Sequence, residues 1–458
     1  MKKILDNKHY ILLIISLIFI YTILLLLSRD LDQYFEIASG RDILSGNFYY
    51  STALNRPVVI QQWLYSVIMV FFDGFGYIGN ITLVFIQNTI LWYVSYIFIY
   101  RKTNSNKKAI LYPLLAMVLC AQYMINIRPQ IITMIIIIIQ FIILDIYKET
   151  NNKKYLFIMF PLLILAANFH QAVFLYHIFI LAPYYVISIR NKKLDWTLIW
   201  FTPFYILCSL LTPYGINGFT YIYKALSSDT FDLVNIIEIR PLSYKNIMFT
   251  ISVICIAYTI YLIYLHKSNI QLNFFVFSIF LLSLTSARHM SLLYIPVILV
   301  LIEYKNNTKL NTYLVYLLSL MFFICVWAIG MRFDQRINRI NLDINTNLME
   351  KDAKIFNYMD YGGFLEYNGY TNIALDTRPE LYSKEELNNQ NALIYGFIYE
   401  DDTQKMVDDN YIYDIAYEYD YIILKPISYA NRILDNKFDK IYESKDTIIW
   451  KNNNILGE

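Results

Sequence analysis

The sequence predicts a polytopic α-helical membrane protein with a small α/β domain at its C-terminal end. Three observations predict it. Of 458 residues, 57% are hydrophobic and only 16% are charged, against about 45–50% and about 25% in soluble domains. The apolar residues collect in about eleven runs of roughly the length that spans a bilayer, which takes about 20 mostly apolar residues. The charge is also split. Residues 1–330 hold 24 Lys and Arg against 13 Asp and Glu, and residues 331–458 hold 14 against 23. The overall +2 thus conceals a basic part and an acidic part. Disordered, collagen-like and disulfide-stapled chains are excluded by this composition. No dense basic patch exists, so nucleic acid is not an expected partner.

The eleven runs lie near 9–28, 77–100, 109–125, 131–147, 155–167, 171–189, 197–212, 246–265, 272–286, 290–303 and 311–330. The first follows Lys2, Lys3 and Lys8 and has no small-residue cleavage site before Arg29-Asp30, so it reads as a signal anchor. Lys and Arg in short loops set the orientation. RKTNSNKK (101–108), KETNNKK (148–154), RNKK (190–193), Lys267, Lys305 and Lys309 fall on one side if PVVIQQWLYSVIMVFF (57–72) does not cross. That stretch reads as a helix lying in the outer interface. The N-terminus is then cytoplasmic. The loops at 29–76, 126–130, 168–170, 213–245 and 287–289, and the tail from about 331, face outside. The protein is expected in the cell membrane, as a transmembrane domain (1–330) and an extracytoplasmic domain (331–458).

Within the tail, KIFNYM (354–359), NIALDT (372–377), YIILKP (421–426), KIYES (440–444) and TIIWKN (447–452) read as strands, with EELNNQNALIYGFI and ISYANRIL as helices between them. That alternation predicts a small α/β layer. Asp401-Asp402 and Asp408-Asp409 are expected to flank a short helix on a solvated surface. Cys120, Cys208, Cys255 and Cys325 all sit in apolar runs, with no CxxC or metal-ligand spacing. They read as small buried hydrophobes.

Ionisable groups are costly at membrane depth, so their placement is informative. The first outer loop carries Asp30, Asp32, Glu36, Arg41 and Asp42. Asp32 and Glu36 are four apart and would share a helix face. Carboxylates there suit a general base or a group that orients an acceptor. The other outer turns bring Arg128 and Gln130, Asn168 and His170, Tyr214, Glu238 and Arg240, and Arg288 and His289. Taken singly, an Arg at a helix end snorkels and a lone His is a satisfied core residue. Taken together, they could line one outward cavity. Arginines in it would pair bidentately with phosphate.

The first loop resembles the opening of membrane glycosyltransferases of the GT-C fold, including the protein O-mannosyltransferase and aminoarabinose transferase superfamily. DLDQYFEI (30–37), ILSG (43–46), PVVIQQWL (57–64) and FDGFG (72–76) carry that resemblance. A bacterial subgroup of GT-C-like proteins is similar further along. Its elements correspond to Arg128-Pro129, Asn168-x-His170, Pro213-Tyr214-Gly215 and Arg288-His289, then Gly362-Gly363-Phe364-Leu365 and Asp376-x-Arg378-Pro379 in the tail. The resemblance implies an integral membrane glycosyltransferase. It would move a hexose or pentose from a polyprenyl-phosphate carrier to an extracytoplasmic acceptor, namely a cell-envelope polymer, a lipid or a protein. Asp30 is the implied catalytic carboxylate and Asp32 the second, with Glu36 where the subgroup has a His. Arg288 and His289, with Arg128, would face the leaving phosphate. Gln130, Asn168, His170, Tyr214, Glu238 and Arg240 would line the cavity. Many relatives have an acid in the second outer loop that in several helps hold a divalent metal. Arg128-Pro129-Gln130 stands there instead, so no metal ligand and no certain cofactor is assigned.

Two other classes compete. A transporter or flippase of a lipid-linked envelope component predicts an inverted repeat and charged residues at the midplane. The sequence has neither. Asp145 lies near the inner end of its span, and His177 is the one interior ionisable residue. A non-catalytic assembly protein predicts that the first-loop acids are dispensable.

Overall fold

The computed structural model describes residues 32–120, 128–190, 192, 194–227, 230, 257, 270–285, 289, 292–303, 342–400 and 403–453. The first described element is α1 (Asp32–Leu44), followed by the two-residue strands β1 (Tyr50–Ser51) and β2 (Arg56–Pro57), then α2 (Trp63–Asp73). Helices α3 (Gly76–Thr103), α4 (Asn106–Leu119), α5 (Gln130–Thr150), α6 (Lys154–Phe169), α7 (Phe174–Phe179), α8 (Ala182–Arg190), α9 (Trp196–Cys208) and α10 (Ile216–Leu226) come next. After α11 (Ile270–Thr285) and α12 (Tyr294–Glu303), the tail holds β3 (Ile355–Asn357), α13 (Met359–Tyr367), α14 (Lys384–Tyr395) and the hairpin β4 (Phe397–Glu400) and β5 (Thr403–Met406). It closes with α15 (Asp409–Ala416), β6 (Tyr421–Leu424), α16 (Asn431–Leu434), β7 (Asp439–Glu443) and β8 (Ile448–Lys451).

The chain divides into two compact units. One comprises 1–28, 74–216 and 237–334, and the other 29–73, 217–236 and 335–458. Residues 29–73, most of the first loop, therefore group with the tail, and so does the segment 217–236, whereas the sequence alone groups both with the membrane part.

In the first unit, two helices among the described residues are long and apolar enough to cross a membrane, Ile78–Thr103 and Gln130–Thr150. The others that overlap expected spans are shorter. At about 1.5 Å per residue, the 16 residues of α6 and 13 of α9 fall short of the roughly 30 Å hydrocarbon core. The expected run 171–189 is broken into a 3-10 turn at Gln171–Val173, α7 and α8. Eleven full-length spans are therefore not what the described helices amount to. The expected spans 9–28 and 311–330, and all of 246–265 but residue 257, lie outside the described residues. Asn104 and Asn151 end α3 and α5 in the left-handed conformation, which asparagine tolerates better than most residues. Beside them the basic loops are ion-paired. Lys102 reaches Asp145 at 2.7 Å, Arg101 reaches Glu149 at 2.8 Å, and Lys148 reaches Asp195 at 2.6 Å. Asp195 also caps α9, accepting from the Leu198 amide. The interior His177 is buried, its Nδ1 2.8 Å from Gln140 Oε1. Cys120 is buried, as its apolar setting predicts.

In the second unit, a four-stranded sheet has the order β3-β6-β8-β7. The β3–β6 pair is parallel, and the other two pairs are antiparallel. β3 and β6 are buried at every position, as expected of strands covered on both faces. The run 372–377 is one bridge at Ile373 against Ile355 rather than a full strand. Its outer side takes the first-loop hairpin, where the Ile373 amide donates to Ala53 O at 3.1 Å. Two expectations are corrected. Residues 403–406 form strand β5, paired with β4, not a helix. Asp408 is more than solvated surface, because its side chain caps α15 by accepting from the Tyr411 amide. A full capping box, Ser383 with Glu386, starts α14.

Candidate functional site

Of the candidate acids, the described Asp32 and Glu36 belong to the second unit. Asp30 lies outside the described residues. Asp32 opens α1, and Glu36 follows one turn later. Glu36 is buried. One of its oxygens accepts from Gln62 Nε2, and the other accepts from Ser66 Oγ at 2.6 Å. Gln62 and Ser66 sit at the start of α2, so this carboxylate ties α1 to α2. Gly40 permits the approach, since a Cβ there would stand 2.3 Å from Ser66 O. Arg41 completes the junction, donating to Tyr367 O at 2.7 Å and pairing with Asp73 at 3.0 Å.

The tail grips the other side of α1. Tyr34 packs edge-on against Phe364 at 5.3 Å between ring centroids. The Arg378 guanidinium lies 5.2 Å over the Phe35 ring. Arg378 pairs with buried Asp376 and, at 3.3 Å, with Glu366. Asp376 also accepts from Tyr382 Oη at 2.8 Å and from the Arg378 amide at 2.9 Å. Burial pushes Glu366 well above the ordinary carboxylate range, against the pull of Arg378. Burial opposes ionisation of Asp376 too, but Arg378 holds it below that range. The two acids of the cluster are thus pushed in opposite directions, Glu366 up by burial and Asp376 down by Arg378. Asp376-x-Arg378 is a buried structural ion pair. From 217–236, Tyr221 Oη donates to Glu380 at 2.8 Å, and Thr230 Oγ1 donates to Pro379 O at 3.2 Å.

The remaining described candidates belong to the first unit. α5 and α6 form a helical hairpin, which brings the N-terminus of α5 beside the C-terminus of α6. Arg128 and Gln130 are at the first of these ends, Asn168 and His170 at the second. His170 Nδ1 lies 3.4 Å from Thr133 Oγ1. Asn168 Nδ2 donates to Leu211 O at 2.9 Å, which draws in the turn carrying buried Tyr214. His289 Nδ1 is hydrogen-bonded to Tyr176 Oη, a partner that sequence reasoning did not name. Four of the turns that carry candidates are thus linked by the Thr133–His170, Asn168–Leu211 and Tyr176–His289 contacts and the short run from His170 to Tyr176. Glu238, Arg240 and Arg288 lie outside the described residues. Among the described residues, no three His, Cys, Asp or Glu side chains group as a metal site.

No family model matches the chain, and no curated protein matches its sequence. Solved structures do match. One is the crystal structure of the Archaeoglobus fulgidus oligosaccharyltransferase tethered by a disulfide bond to an acceptor peptide containing the NVT sequon, with a TM-score of 0.51. The chain shares this oligosaccharyltransferase's fold. The match covers 98% of this chain and 74% of that one, at 10% sequence identity. So distant a likeness speaks for the fold alone, which is the GT-C type.

Proposed function

We propose that the protein is an integral membrane glycosyltransferase of the bacterial GT-C-like subgroup. It moves a sugar from a polyprenyl-phosphate donor to an acceptor outside the membrane. The observation that carries this reading is the likeness in fold to an oligosaccharyltransferase over 98% of the chain. Asp30, assisted by Asp32, accepts the proton of the acceptor hydroxyl. The freed oxygen attacks the anomeric carbon on the face opposite the phosphate. The carbon–oxygen bond to phosphate breaks, the electron pair leaves with polyprenyl phosphate, and the configuration inverts. Arg128, Arg288 and His289 stabilise the charge growing on that phosphate. Gln130, Asn168, His170, Tyr214, Glu238 and Arg240 line the route to it. Glu36, with both oxygens engaged by Gln62 and Ser66, holds the helix that follows Asp30. The N-terminus is cytoplasmic and the tail extracytoplasmic.

Mass spectrometry of envelope polymers from a deletion strain, complemented by wild type or Asp30→Asn, tests the reading. The expected result is a sugar missing from the deletion strain, restored by wild type and not by Asp30→Asn, with both proteins inserted and folded. Normal glycosylation with Asp30→Asn would remove the catalytic assignment.

A further inference from the structure

The second unit contains a cavity of about 240 Å³ where the first-loop hairpin meets the tail. Its wall combines Asn55 and Arg56 of the hairpin with Lys354, Asn372, Glu386, Asn389 and Tyr419 of the tail, and Arg56 and Lys354 outnumber its one carboxylate. The floor is apolar, made by Phe356, Ile373 and their neighbours. Clefts for drug-sized ligands run to about 300–1,000 Å³, so this one suits a single small polar unit.

Its chemistry is specific. The Arg56 guanidinium is already committed, to Glu386 at 2.6 Å and to Leu381 O at 2.8 Å, and it stacks on Tyr382. It stiffens the wall. Lys354 is held more loosely by its own acid, at a longer and more exposed pair. Its ammonium is half-exposed, 3.6 Å from Glu418 and 4.7 Å over the Tyr419 ring. Asn389 accepts from Tyr411 Oη through Oδ1 at 3.2 Å, which leaves its NH2 as a donor. Burial pushes the Tyr419 phenol up to about 12, so it stays a neutral hydroxyl. Amide groups that donate and accept, a phenol and an aromatic ring match the hydroxyl-rich faces of a sugar. A lysine among them adds a place for one negative charge.

We propose that this cavity binds an acidic sugar unit, a saccharide bearing a carboxylate or phosphate, as part of the acceptor glycan. Only the acceptor role rests on the glycosyltransferase reading; the binding does not.

Saturation-transfer NMR on the full chain in nanodiscs tests it, with glucuronic acid, glucose 6-phosphate, glucose and inorganic phosphate as probes. Signal on glucuronic acid or glucose 6-phosphate, weaker on glucose, is expected, and the stronger of the two names the acidic group. Lys354→Ala and Asn372→Ala should each weaken binding, the lysine change by about tenfold, with unchanged melting temperature. Saturation on neither acidic sugar, equal binding in both variants, or full displacement by equimolar inorganic phosphate would overturn the proposal. Asp30→Asn separates the two readings. Binding retained there supports the cavity whatever a transfer assay gives, and binding lost there overturns it.

Discussion

Gly363 lies directly against the backbone of Phe35. A Cβ on that glycine would stand 3.0 Å from the Phe35 nitrogen. On its neighbour Gly362, a Cβ would stand 2.1 Å from Leu375 O. The paired glycines of α13 therefore let two different segments approach, the first-loop helix at one and the 372–377 segment at the other.

Gly362→Ala should destabilise the second unit by about 3 kcal/mol, the upper end for overpacking, because the obstructing atom is backbone and cannot rotate away. Thermal unfolding of the purified protein, followed by tail-domain proteolysis, measures this. A melting temperature equal to wild type would contradict the close approach.

Arg378→Ala should cost about 3–5 kcal/mol, the usual penalty for leaving a buried carboxylate without its partner. Asp376 is fully buried and has no water to turn to. Arg378→Lys should recover only part of the loss, since one ammonium cannot reproduce the contacts to both Asp376 and Glu366. Denaturant midpoints of the three proteins decide it.

Glu366 gives the fold a pH dependence. Its proton is retained in the folded state above the ordinary value of 4.5. The folded form therefore binds more protons than the unfolded one, and stability falls as pH rises past 4.5. Asp376 acts oppositely, and its contribution is lost as pH falls below its ordinary 3.8. Glu366→Gln should flatten the decline on the alkaline side and leave the acid side intact. Melting temperature measured from pH 2 to pH 9 shows whether the alkaline slope alone changes.

Glu36→Gln should keep sugar transfer, whereas Glu36→Ala should lose about 1–3 kcal/mol of stability through the unsatisfied Gln62 and Ser66. Abolished transfer in a well-folded Glu36→Gln protein would make this residue a base instead.

Much of the architecture could be read along the chain. Apolar run length announced α3 and α5. Strand-like runs announced β6, β7 and β8, and the helical run EELNNQNALIY announced most of α14. These are properties of short windows. The errors also have local causes. NYM was read as the end of a strand, although Asn357 ends β3 and Met359 already begins α13. Residues 403–406 are exposed throughout and polar at all but Met406, which hides a hairpin strand that has no buried face.

The sequence by itself determined a helical, membrane-type chain with an acidic α/β tail, because hydrophobic content, its period and its charge balance are local quantities. It also placed the candidate carboxylates and arginines in the turns between apolar runs. Only the tertiary structure decided what those groups do with their charge. Glu36 is tied to Gln62 and Ser66, Arg378 to Asp376 and Glu366, and Arg56 to Glu386. A charge is neutralised by whatever folding brings within about 4 Å. For Arg56 that partner lies 330 positions along the chain, where no sequence window reaches.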